Sequence, residues 1–148
     1  MIHFTFPILN KDFLMINLNA LPLVSLRSMN EVHIEEVYII NRLFENLNTD
    51  SDFETISQTL QNLLEHMQEH FSSEEKIMRE LHYPSLQMHK ADHDKVLNQA
   101  RYAEIQWRNS KDEDELREYL EGDVVAWLDQ HIKAMDTPMS DYVLEVSS

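Results

Sequence analysis

Six ionisable side chains sit where a helix would otherwise place its core: His33, His70, Glu74, His89, His93 and His131. His70 and Glu74 are four residues apart, as are His89 and His93. At about 100° per residue, each pair shares a helix face one turn apart and can aim at one ion. A buried imidazole or carboxylate without a partner costs about 1–3 kcal/mol, so a core holding this many must satisfy them together. A metal ion does so with few atoms. Asp136 is placed less directly: it follows His131 by five residues, about 140° away on a regular helix. Pro138 disfavours helical geometry at Thr137, and a helix ending there would swing Asp136 back toward the others.

The donor types narrow the metal. The chain has no cysteine, which excludes disulfides, thiolate sites, iron–sulfur clusters and cysteine nucleophiles. Imidazole and carboxylate suit iron, zinc, manganese or copper. A mononuclear zinc site takes about four ligands, fewer than the seven candidates present. The zinc-protease pattern H-E-x-x-H is absent, because His66 precedes Met67, His70 precedes Phe71 and His89 precedes Lys90. The E-x-x-H pairs of ferritin-like bundles are absent too. Asn30, Leu63, Met67, Arg79, Leu86, Lys90 and Leu128 stand three residues before the histidines, and none is Glu.

Helices must position these groups. Met29, His33, Val37, Ile40, Phe44 and Leu47 recur at three- and four-residue steps, and Phe53, Ile56, Leu60, Leu63, Met67, His70, Glu74, Ile77 and Leu81 continue the pattern. A third stripe is Leu86, His89, His93, Val96, Ala100, Ala103 and Trp107; a fourth is Leu116, Leu120, Val124, Trp127, His131 and Ala134. Each stripe packs a helix against neighbours. Ser51 with Glu54 and Asp112 with Glu115 read as capping boxes, Pro84 as a first-turn proline, and Pro138 as the stop of the fourth helix. Short linkers make successive helices antiparallel. The expected fold is all-α: an up-down-up-down four-helix bundle over residues 28–148 with an N-terminal arm, 1–27, in one domain overall. The alternation of Ile2, Phe4, Phe6 and Ile8 predicts an extended arm laid over its own bundle or a second subunit, and Met15 is an alternative start.

Length and charge bound the function. The 148 residues, 43% hydrophobic and 26% charged, suit one folded domain. A formal net charge of −15 repels phosphate backbones and anionic lipid, so neither nucleic acid nor membrane is an expected partner. The arm lacks a basic start and a small-residue cleavage site, so no signal peptide is expected and the cytoplasm is the expected compartment.

The chain resembles the hemerythrins, specifically single-domain bacterial hemerythrins. The matching stretches are VHIEEVYIINRL around His33, EHFSSEEKIM around His70, HYPSLQMHKADH through His93 and WLDQHIKAMD ending at Asp136. The resemblance implies two irons in the bundle, with His89, His93 and His131 on one, His33 and His70 on the other, and Glu74, Asp136 and a solvent oxygen bridging them. Two octahedral ions so held have one position left, on the ion of His33 and His70. There the family binds dioxygen reversibly, as carrier, store or delivery protein and not as an enzyme; the protein partner is unknown. Apolar walls would keep water out, with Val37, Ile40, Met67, Ile77, Val96 and Trp127 as candidates.

Two residues depart from the family pattern. Glu36 lies within about 60° of His33 on a helical wheel, where family members usually carry an apolar residue. It either reaches solvent or a neighbouring helix, or ligates the open position and turns a carrier into a sensor or redox centre. His66 lies one turn before His70, at the stripe's edge, where boundary hydrogen bonding or contact with the metal shell is expected. His82 and His3 read as surface residues. The His93-Asp94 dipeptide is shared with HD-type phosphohydrolases, but the other ligand spacings do not follow that fold.

Overall fold

The structure is a computed structural model that describes residues 9–10 and 15–148. Helix α1 is Arg27–Asn48, α2 is Phe53–Glu80 and α3 is Leu86–Ser110. The fourth rod is assembled from α4 (Glu113–Tyr119), a π turn (Leu120–Val124), α5 (Val125–His131), a second π turn (Ile132–Asp136) and α6 (Thr137–Ser147). Backbone angles at the four junctions are helical, so the rod runs unbroken from 113 to 147. Successive helices pack on each other, and α1 packs on α4 to close the ring, as the short linkers require.

The predicted stripes of α1, α2 and α3 are the buried faces, with Val37, Leu43, Phe44 and Met78 completely enclosed. The fourth stripe differs. After Val124 the predicted stripe keeps His131 buried, but Trp127 is half-buried and Ala134 exposed, and the buried apolar residues are instead Val125, Leu128, Ile132 and Met139. The Val125 amide bonds the carbonyl of Leu120, five residues back, and that wide turn rotates the following residues relative to a regular α-helix.

Several boundaries are corrected. The fourth helix does not stop at Pro138 but continues to Ser147. In an α-helix the proline ring would strike the carbonyl four residues back, and it has no N–H to donate. The second π turn widens the helix just before it: the Thr137 amide bonds the carbonyl of Ile132, and the Thr137 hydroxyl bonds the same oxygen at 2.9 Å. Asp52, not Ser51, caps α2, accepting from the Thr55 amide at 2.8 Å. Pro84 lies in the turn before Ser85, the residue that opens α3. Asp112 does cap α4, accepting from the amides of Asp114 and Glu115.

The arm reaches the bundle one residue earlier than expected, at Leu26. Leu9–Asn10 pairs antiparallel with Met15–Ile16, while the predicted alternation at Ile2, Phe4, Phe6 and Ile8, and His3, lie outside the described residues. Residues 15–26 lie on their own bundle through side-chain amides that imitate a strand partner. Asn41 on α1 accepts from the Ile16 amide at 2.7 Å and donates to its carbonyl at 3.1 Å. Asn30 does the same for Val24, at 2.9 and 2.8 Å. Ile16, Leu21 and Val24 are buried beneath this clamp. His82 is exposed in the left-handed turn between α2 and α3, with φ 54°.

Candidate metal centre

The seven candidates His33, His70, Glu74, His89, His93, His131 and Asp136 come together from all four rods and are all buried. Glu74 and Asp136 each face two ways. Oε2 of Glu74 lies 2.6 Å from Nε2 of His70, and Oε1 lies 3.3 and 3.2 Å from Nε2 of His89 and His93. Oδ2 of Asp136 lies 2.9 Å from Nε2 of His33, and Oδ1 lies 3.1 Å from Nε2 of both His89 and His131. Each carboxylate therefore turns one oxygen toward His33 or His70 and the other toward the group of His89, His93 and His131. The second π turn makes this possible. With five residues spent on one wide turn, Asp136 returns beneath His131, where a regular helix would have carried it away.

The donor set fits a cation better than it fits itself. Both ring nitrogens of His33 and His89, Oε1 of Glu74 and both oxygens of Asp136 are buried without a hydrogen-bond partner, although several lie near 3 Å from one another. Ligand atoms converging on a shared ion, rather than on each other, have this geometry. Buried polar groups of native proteins are otherwise almost always paired. Electrostatics agree. Burial and the neighbouring Asp136 charge push Glu74 up, but the surrounding imidazoles of His70, His89 and His93 outweigh them and hold it below the usual carboxylate range. Burial likewise opposes ionisation of Asp136, yet His131, His33 and His89 keep it well below its ordinary value. Burial lowers His131, but Asp136 and Asp92 raise it more, to about 9. Two enclosed anions thus require positive charge, which protonated imidazoles supply in the absence of metal.

The imidazoles are held from behind. Nδ1 of His131 lies 2.7 Å from Oδ2 of Asp92, which also accepts from the Trp127 indole at 3.1 Å. Nδ1 of His93 lies 2.9 Å from Oε2 of Glu75. Phe71 stacks on His93 with centroids 4.0 Å apart, and Trp127 on His131 at 4.3 Å. Sequence reasoning missed Asp92 and Glu75. The available signal was helical: each lies next to a candidate ligand, His93 or Glu74, on the flank of the buried face.

Glu36 does not reach solvent. It is 1% exposed and crosses to α2, with Oε2 at 3.2 Å from Nδ1 of His70 and Oε1 at 3.8 Å from Nδ1 of His66. Burial pushes Glu36 up, but the nearby imidazoles of His70 and His66 hold it down at about 2. His66 is half-buried and also meets Glu35 at 3.4 Å. Glu36, His66 and His70 form a separate cluster on the opposite ring nitrogen of His70 from Glu74.

A cleft of about 300 Å³ between α1 and α2 leads from the surface to His70 and Glu74, walled in part by Met29, Val32 and Ile77. Of the other expected wall residues, Val37, Ile40, Met67 and Val96 are enclosed core.

Comparison with known proteins agrees with this arrangement. The family described as the hemerythrin HHE cation binding domain matches residues 24–142. A bacteriohemerythrin of Aquifex aeolicus (strain VF5) is 31% identical over 109 residues, covering 74% of this chain and 82% of that protein.

Proposed function

The chain belongs to the hemerythrin family, and from that premise we propose that it holds two irons and binds dioxygen reversibly, as a carrier, store or delivery protein in the cytoplasm. The observation that carries this reading is the two-way facing of Glu74 and Asp136. A carboxylate with its two oxygens turned to different imidazole groups is built to bridge two ions. His89, His93 and His131 hold one iron and His33 and His70 the other, with the bundle beginning at Arg27 and the residues before it forming its arm. The chemistry an iron pair supplies here is reversible binding of dioxygen.

The chain's own side chains select and protect that chemistry. Imidazole and carboxylate donors suit iron in preference to thiophilic ions. With two histidines on one ion and three on the other, the remaining position falls on the His33–His70 half. The cleft reaches that same half at His70 and Glu74, and its volume of about 300 Å³ exceeds that of a diatomic molecule. Met29, Val32 and Ile77 along it disfavour water, while Glu35, His66 and Glu69 at its sides are polar. Among the described residues, no helix is long and apolar enough to cross a membrane.

The test is an optical cycle on protein loaded with iron without air. Two irons per chain and a charge-transfer band that appears with air and fades on deoxygenation are the expected results. Immediate irreversible oxidation with no such band contradicts reversible binding.

A further inference from the structure

Three imidazoles of the centre are backed by a carboxylate, and one of the three backing groups differs from the others. On His131 the carboxylate is Asp92 and on His93 it is Glu75; their side chains are 25% and 13% exposed. On His70 it is Glu36, at 1%. Nδ1 of His33 and of His89 faces no carboxylate among the described residues, whereas Nδ1 of His70 meets Glu36 as a close charge contact at 3.2 Å and not as an aligned hydrogen bond. Glu36 is therefore the fully enclosed backing carboxylate, and the one serving the two-histidine half.

Its placement defines what it can do. His70 turns Nε2 to Glu74 and the centre, and Nδ1 to Glu36. An imidazole binds metal through one nitrogen while the other carries the proton, and the hydrogen bond of the second nitrogen selects which. A carboxylate on Nδ1 keeps the proton there and leaves the Nε2 lone pair for the ion. It also fixes the plane of the ring and makes the ligand a stronger donor. A charge shielded from water acts over its short range with little screening, so Glu36 should act on its imidazole more strongly than Glu75 or Asp92 on theirs. His66, one turn before His70, lies 3.8 Å from the other oxygen at the half-buried edge.

We propose that Glu36 is a positioning residue that acts through Nδ1 of His70 to strengthen metal binding on the two-histidine half and to favour its more oxidised state. This rests on the two-iron reading above. It accounts for an acid at a core position of α1 without giving it a place in the coordination shell.

The test is an anaerobic titration of the metal-free full chain with Fe²⁺ against a chromogenic chelator, followed by a redox titration of the loaded protein. Wild type, Glu36→Gln and Glu36→Leu are compared, with helical content checked by circular dichroism. Glu36→Gln keeps the size and an acceptor oxygen, so it reports even if the leucine variant folds poorly. One of the two binding steps should weaken about 10–100-fold in Glu36→Leu, less in Glu36→Gln, while the other step stays unchanged. The reduction potential should rise in the order Glu, Gln, Leu. Two unchanged steps, or equal weakening of both, overturn the proposal. So does a third ion per chain that Glu36→Leu removes, because Glu36 would then be a ligand itself. A wild-type chain that takes up only one ion overturns the two-iron reading, and the proposal with it, which separates that failure from the others.

Discussion

At the residue scale the centre is a balance of enclosed charges. Glu74 and Asp136 stay ionised in a core because imidazoles surround them, and three of those imidazoles, on His70, His93 and His131, turn their outer nitrogens to carboxylates. Asp92 shows this most directly, gripping both His131 and the Trp127 indole that stacks on it. Asp92→Ala frees the ring and its stacked neighbour together. The expected result is metal binding about 10–100-fold weaker at the three-histidine ion with a changed Trp127 emission, measured by chelator competition and fluorescence. Unaltered affinity would show that packing by Phe71 and Trp127 alone aims the ring. That these side chains gather in the core was legible in the sequence because six of them in phase with Leu, Ile and Met on four stripes need a shared partner, though any one alone would read as an ordinary core histidine. Asp92, Glu75 and Glu36 were harder. They belong to 27 acids, most of which face solvent, and only their tertiary partners distinguish them.

At the element scale, the site depends on one irregular turn. A step of five residues from His131 to Asp136 does not fit one face of an α-helix, and the π turn Ile132–Asp136 absorbs the difference. Pro138 pointed to an irregularity at the right place, but sequence periodicity cannot tell a helix that ends from one that widens and continues. The proline removes the amide that would reward a regular α register there. Pro138→Ala restores it, so the α register competes and carries Asp136 away from the centre. We expect weaker metal affinity with no loss of metal-free stability, read by chelator competition and by melting in chelator. Unchanged affinity would mean that the Thr137 hydroxyl and the packing hold the turn without the proline. A simpler element obeys simpler rules. Asp112 caps α4 through two amides, and Asp112→Ala should cost about 1 kcal/mol, lowering Tm by about 2–4 °C. A smaller shift would show that the amides find water or other partners.

At the scale of the whole molecule, fold and site are one construction. Every rod contributes donors, so the bundle cannot rearrange without dispersing the centre, and the centre cannot be filled without fixing the bundle. The arm adds its own cover, held to α1 by Asn30 and Asn41. That clamp was not legible, because an asparagine on a helix flank is indistinguishable from any solvated amide until its strand partner is in place. The ring of four helices was legible, because periodicity, caps and short linkers all agreed. Metal binding to the folded state alone raises stability by mass action, about 2.7 kcal/mol for one site at a hundredfold excess over its Kd. Iron-loaded protein should therefore melt several degrees above the same protein stripped by chelator. Equal melting temperatures would mean that the ions bind outside the bundle core.

Two ions bridged by Glu74 and Asp136 are the central expectation, and anomalous diffraction at the iron edge from crystals of iron-loaded protein tests it most directly. The prediction is two anomalous peaks per chain inside the bundle, one beside His89, His93 and His131, the other beside His33 and His70, with both carboxylates spanning them. A single peak, or a second peak at Glu36 and His66 in place of His33, would contradict it.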